Sequence, residues 1–98
     1  METFKELIAS PIPVVVDFYA DWCGPCQSMA PLIKELAGQF KGKARIVKIN
    51  IDKNQSAARE YQVEAVPTFI IFKNGKLLWR HAGALDKNTL EKHLLSFA

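Results

Sequence analysis

The sequence predicts an α/β fold: a four-stranded mixed sheet flanked by four helices, in three α/β/α layers. Three observations carry this. Ninety-eight residues make one domain, residues 1–98, long enough to bury a core without metal or disulfide staples. The apolar spacing switches repeatedly between strand and helix, giving the order α-β-α-β-α-β-β-α. Asn74-Gly75 then gives a strong short-range hairpin signal, which adds an antiparallel edge to a parallel βαβ part.

Residues 2–9 place Phe4, Leu7 and Ile8 at helical spacing, and Pro11 and Pro13 end that helix. Residues 14–19, Val-Val-Val-Asp-Phe-Tyr, are β-branched and aromatic, which suits a strand covered on both faces. From Cys23 to about Phe40 the period is helical, with Met29, Ile33, Leu36, Ala37 and Phe40 along one face, Pro31 interrupting it and expected to kink it, and Gly42 closing the segment. Residues 44–50 alternate as a second strand. Asn54 is placed to cap a short helix through Ala57, Ala58 and Tyr61. Residues 68–72 form a third strand and 76–82 its hairpin partner, broken at Gly83. Asp86 caps a last helix carrying Leu90, Leu94 and Phe97 on one face.

Composition excludes several classes. Hydrophobic residues are 49% and charged residues 23%, the balance of a globular protein and not of a disordered chain. No apolar run approaches the ~18 residues a bilayer span needs, so no membrane association is expected. The net charge of +3 comes from basic residues scattered along the chain, without the clustered basic and aromatic residues of a nucleic-acid groove. The N-terminus lacks a basic segment followed by an apolar one, so a cytoplasmic location is expected, the alternative being a leader removed before this numbering begins.

The two cysteines, Cys23 and Cys26, carry the chemistry. Cys-x-x-Cys where a strand ends and a helix begins is a redox signature. Cys23 falls at or just before the first helical residue, where free N–H groups and the helix dipole favour a thiolate. Cys26 lies one turn deeper, close enough to close a disulfide and more shielded from water. An order follows: Cys23 attacks a disulfide and Cys26 resolves the mixed disulfide. A structural disulfide is the first alternative, but so short a loop constrains the unfolded chain by only ~2 kcal/mol. A metal site is the second. Zinc needs three or four ligands, and only His81 and His93 could join, at a spacing foreign to zinc fingers, so no metal is expected.

Asp17 is the second clue. A carboxylate in a central strand is costly unless neutral or paired, and its pKa rises. It leads into the cysteine motif and could exchange a proton with Cys26. The alternative is an edge strand with Asp17 in solvent. Lys48 in the neighbouring strand could pair with it, or simply be solvated. Val66-Pro67 precedes a strand, and the residues alone favour a trans bond there. Trp22, Gly83 and the Pro67 segment could form the apolar lip of a docking groove, or be a packed aromatic and a strand terminator.

The segment Phe18-Tyr19-Ala20-Asp21-Trp22-Cys23-Gly24-Pro25-Cys26 resembles the active-site segment of thioredoxins. Lys48-Ile49-Asn50-Ile51-Asp52, Val66-Pro67-Thr68-Phe69, Phe72-Lys73-Asn74-Gly75 and Gly83-Ala84-Leu85 resemble thioredoxin segments in the same order, from about Val14 to the C-terminus. The resemblance implies that Cys23 is the nucleophile and Cys26 the resolving thiol. It implies that Asp17 assists proton transfer at Cys26, with Lys48 tuning it. Pro67 is then cis against the disulfide, and Trp22, Gly24, Pro25, Val66 and Gly83 line the substrate surface with it. Gly-Pro between the cysteines resembles the reducing members. No bound cofactor is implied; electrons come indirectly from NADPH through thioredoxin reductase, the substrates are proteins with disulfides, and the protein is a monomer.

Two departures stand out. Thioredoxins usually begin with a further strand, for which the thirteen residues before Val14 leave no room, so one sheet edge is expected to be exposed. Tyr19 stands where a Trp is common. Three functions compete: a dithiol reductant, a net oxidase or isomerase of protein disulfides, and a thiol-independent binding or processivity subunit.

Overall fold

The computed structural model describes residues 2–98. Among them the elements follow the predicted order: α1 (Phe4–Ile8), β1 (Val14–Tyr19), α2 (Gly24–Gln39), β2 (Arg45–Asn50), α3 (Gln55–Glu60), β3 (Thr68–Lys73), β4 (Lys76–Ala82) and α4 (Lys87–Ser96). The strands form one sheet in the order β2-β1-β3-β4. The crossover through α2 makes β1 and β2 parallel, while β3 runs antiparallel to both β1 and β4. Asp17 therefore lies in a central strand, opposite Lys48 on one side and Phe69 on the other, which removes the solvent-edge alternative.

Local chemistry explains the boundaries. Thr3 and Glu6 form a reciprocal capping box that starts α1, a Thr-x-x-Glu signature that helical spacing alone did not reveal. α2 runs as one helix through Pro31. Asn74 and Gly75 have φ of 54° and 80°, the left-handed pair that a two-residue hairpin favours. Their N–H groups donate to the carbonyls of Ser10 and Ile8, tying the turn to the end of α1. Asp86 accepts from the Thr89 N–H at 3.2 Å and caps α4 as predicted. Asn54 corrects its prediction. It holds the N-cap position of α3 but makes no side-chain cap; its Nδ2 instead donates back to the Asn50 carbonyl at 3.0 Å.

Two apolar layers sandwich the sheet. On one face Val15, Phe69 and Ile71 pack with Met29, Ile33 and Leu36 of α2 and with Leu90 and Leu94 of α4. On the other, Val14, Val16, Phe18, Ile70 and Phe72 pack with Leu7 and Ile8 of α1 and with side chains around α3. The strands alternate between these layers, so Asp17 falls on the α2 side, two residues beyond Val15. The chain directions bring the end of β1, the end of β2, the start of β3 and the end of β4 to one end of the sheet.

Candidate active site

That end of the sheet carries the cysteines. β1 stops at Tyr19, and the Cys23 N–H donates to the Ala20 carbonyl at 3.2 Å, closing a tight turn. Gln27 Nε2 returns to the Asp21 carbonyl at 2.8 Å and fixes the same turn from the helix side. Cys23 becomes the N-cap of α2, with Gly24 and Pro25 opening the first turn. Pro is suited to that turn because its missing N–H would have had no helical partner. The Cys26 N–H points at Cys23 Sγ, 3.1 Å away. A donor from the open end of a helix aimed at sulfur is the arrangement that favours the thiolate. Cys23 and Cys26 are joined as a disulfide with a Cα–Cα distance of 5.3 Å.

The expected difference in shielding does not hold. Cys23 is 3% exposed and Cys26 9%, so Cys26 is not the better covered residue. Cys23 is folded back against Ala20, whereas Cys26 borders a cleft of about 280 Å³ shared with Tyr19, Ala20, Asp21, Gln27, Ala30 and Lys48. What distinguishes the two sulfurs is the helix end: the N–H of one is aimed at the other.

Asp17 is 5% exposed, and its Oδ1 has no hydrogen-bond partner among the described residues. Burial raises its pKa from the usual 3.8 to about 6, against the opposing pull of the Lys48 charge. Lys48 lies beside Asp17 in register, as the sequence suggested. Of the two readings offered for Lys48, the solvated one holds: the side chain is exposed, and its ammonium sits 4.4 Å from the centroid of the Tyr19 ring. The aromatic at position 19 thus holds the cation that acts on Asp17.

The rest of the rim comes from the other strand ends. The Val66-Pro67 bond is cis, correcting the residue-level default of trans and agreeing with the resemblance. Val66 packs against the cysteine cluster, and the Gly83 N–H donates to the Pro67 carbonyl at 2.7 Å. Gly83 has φ of +103°, so glycine serves there as more than a strand terminator. Trp22 is 69% exposed beside the disulfide, which disposes of the packed-aromatic alternative. Its Nε1 donates to Asp52 Oδ2 at 2.9 Å. The sequence placed Asp52 in a thioredoxin-like segment but gave it no role, although Asn-x-Asp at a strand end is a recognisable turn signal. A larger cleft, about 1120 Å³, opens between α1 and α3 along Phe4, Ile8, Ala57 and Tyr61, and contains no cysteine.

A buried cysteine pair at a helix start, an adjacent buried acid and a rim with an exposed tryptophan suit two-electron exchange with disulfides on large partners. The chain is similar to known proteins. The Thioredoxin family model matches residues 1–96. Thioredoxin 1 of Chlorobaculum tepidum is 43% identical over 95 residues, covering 96% of this chain and 94% of its own. The chloroplastic thioredoxin Y of Oryza sativa subsp. japonica is 50% identical, covering 96% of this chain and 56% of its own. The oxidised crystal structure of mitochondrial thioredoxin 3 from Saccharomyces cerevisiae superposes with a TM-score of 0.86 at 38% identity, over 95% of this chain and 86% of that one.

Proposed function

The chain belongs to the thioredoxin family and is a thiol–disulfide oxidoreductase, and we propose on that basis how its residues divide the work. In the reduced protein the Cys23 thiolate attacks one sulfur of a substrate disulfide. A mixed disulfide forms and one substrate sulfur leaves as thiolate. Cys26 passes its proton to the ionised Asp17 carboxylate and attacks Cys23 Sγ. The second substrate sulfur leaves, and the Cys23–Cys26 disulfide remains. Two electrons have moved from the protein to the substrate. Lys48 tunes Asp17 through its charge. Trp22, Gly24, Pro25, Val66, Pro67 and Gly83 form the surface on which the substrate lies.

The observation that carries this reading is the Cys26 N–H directed at Cys23 Sγ at the start of α2. We propose further that electrons return from NADPH through thioredoxin reductase, that the protein acts in electron transport as a monomer, and that it works in the cytoplasm. A dithiol donor requires a reducing compartment, which supports that location.

The reduction potential tests the direction of flow. The protein is equilibrated with graded ratios of reduced and oxidised dithiothreitol, and the free thiols are trapped and counted by mass. A potential more negative than the cytosolic glutathione pool is expected. A clearly more oxidising value would instead support formation or isomerisation of disulfides.

A further inference from the structure

The exposed Trp22 is tied to a residue that does not touch the cysteines. β2 ends at Asn50, and the Ile51 N–H still bonds the Tyr19 carbonyl at 2.9 Å. Beyond it the chain leaves the sheet before α3 begins at Gln55. Asn50 is one of three buried polar or charged residues among the described ones, 6% exposed, and its side chain gathers this connection. Asn50 Oδ1 accepts from the Asp52 N–H at 2.9 Å and from the Lys53 N–H at 3.3 Å. Its own carbonyl accepts from Asn54 Nδ2 at 3.0 Å. Asparagine can close such a turn because its short amide reaches N–H groups two and three residues on. The turn sets the position of Asp52, and Asp52 Oδ2 holds the Trp22 indole at 2.9 Å.

We infer that Asn50 is a positioning residue for substrate docking, fixing Asp52 so that the Trp22 ring is held ready beside the disulfide. This rests on the docking role proposed above for Trp22. An aromatic that is 69% exposed does not orient itself by packing, so one charge-assisted bond to Asp52 does that work. A pre-oriented ring contributes its contacts to a large partner without first losing rotational freedom. A small disulfide such as cystine offers the ring far less surface than a protein partner and gains less from its orientation.

The test uses Asn50→Ala, with Asn50→Asp as the variant that keeps the acceptor. One readout is hydrogen exchange at the Trp22 indole N–H, followed by NMR and assigned through its loss in Trp22→Phe. The other is the ratio of kcat/KM for insulin to that for cystine. In Asn50→Ala, indole exchange is expected to rise and the insulin-to-cystine ratio to fall, each by about fivefold, the scale of one lost hydrogen bond. Asn50→Asp should restore both. In an Asp52→Ala background the Asn50→Ala change should add nothing further. Should Asn50→Ala not fold, Asn50→Ser, whose shorter hydroxyl reaches less far, takes its place. Unchanged indole exchange, a drop shared equally by insulin and cystine, or additive effects in the double variant would each overturn the inference. Failure of the wild-type protein to reduce either disulfide would instead count against the reductase reading, since the indole exchange does not depend on turnover.

Discussion

Replacing Asp17 by asparagine should stabilise the oxidised protein above pH 6 and leave it nearly unchanged below pH 4. The carboxyl is 5% exposed, one oxygen lacks a partner among the described residues, and its pKa is raised from 3.8 to about 6. Between those values the folded protein holds a proton that the unfolded chain has lost, so stability falls as pH rises through the window. At 1.36 kcal/mol for each pH unit, the penalty above pH 6 comes to about 3 kcal/mol, and asparagine carries none of it. The assay is urea unfolding of wild type and Asp17→Asn in parallel from pH 3.5 to 8; the difference cancels every other titrating group. The gap in stability should open between pH 4 and 6 and stay level above. A gap that is constant with pH, or that closes as pH rises, would refute a buried carboxylate held ionised at cost. The same variant should slow release of the mixed disulfide near neutral pH, where the wild-type carboxylate is ready to take a proton.

Three further outcomes follow from the geometry. Lys48→Gln removes the charge that opposes burial, so the Asp17 midpoint should move above about 6 in an NMR titration of its carboxyl carbon; an unmoved midpoint would leave Lys48 without a tuning role. Leu36→Ala empties a site of 0% exposure between α2 and the sheet and should lower stability by about 3 kcal/mol in urea unfolding, with α/β content kept. Gly83→Ala meets no atom within 4 Å but forces alanine to a φ of +103°, so it should cost about 1 kcal/mol through backbone strain alone, read by the same unfolding assay.

The central strands were legible because burial on both faces writes an almost continuous β-branched and aromatic run; β1 covers Val14–Tyr19 and β3 extends one residue beyond its prediction, to Lys73. Caps were legible where a side chain has a single use. Asp86 could only serve its helix, whereas Asn54 had a competing carbonyl at Asn50 that its own sequence window did not advertise. The cysteine spacing revealed the helix N-cap, because strand-to-helix geometry depends on local residues. The shielding of Cys23 and Cys26 depends on how the Asp21–Trp22 turn folds over the strand end, and spacing is blind to that. Lys48 was placed correctly beside Asp17 by register, yet its long side chain chose the Tyr19 ring 4.4 Å away. An exposed sheet edge was foreseen without the strand being named; among the described residues β2 pairs only with β1.

The division of labour between the two sulfurs is tested most directly by trapping. Reduced Cys26→Ser is mixed with insulin, quenched with acid and mapped by peptide mass. A covalent adduct joined through Cys23 should accumulate to near one per molecule, because serine has no thiol with which to release it. Reduced Cys23→Ser, treated identically, should yield almost none. Equal adduct on both variants, or none on Cys26→Ser, would contradict the assignment of Cys23 as the attacking thiol and Cys26 as the one that resolves.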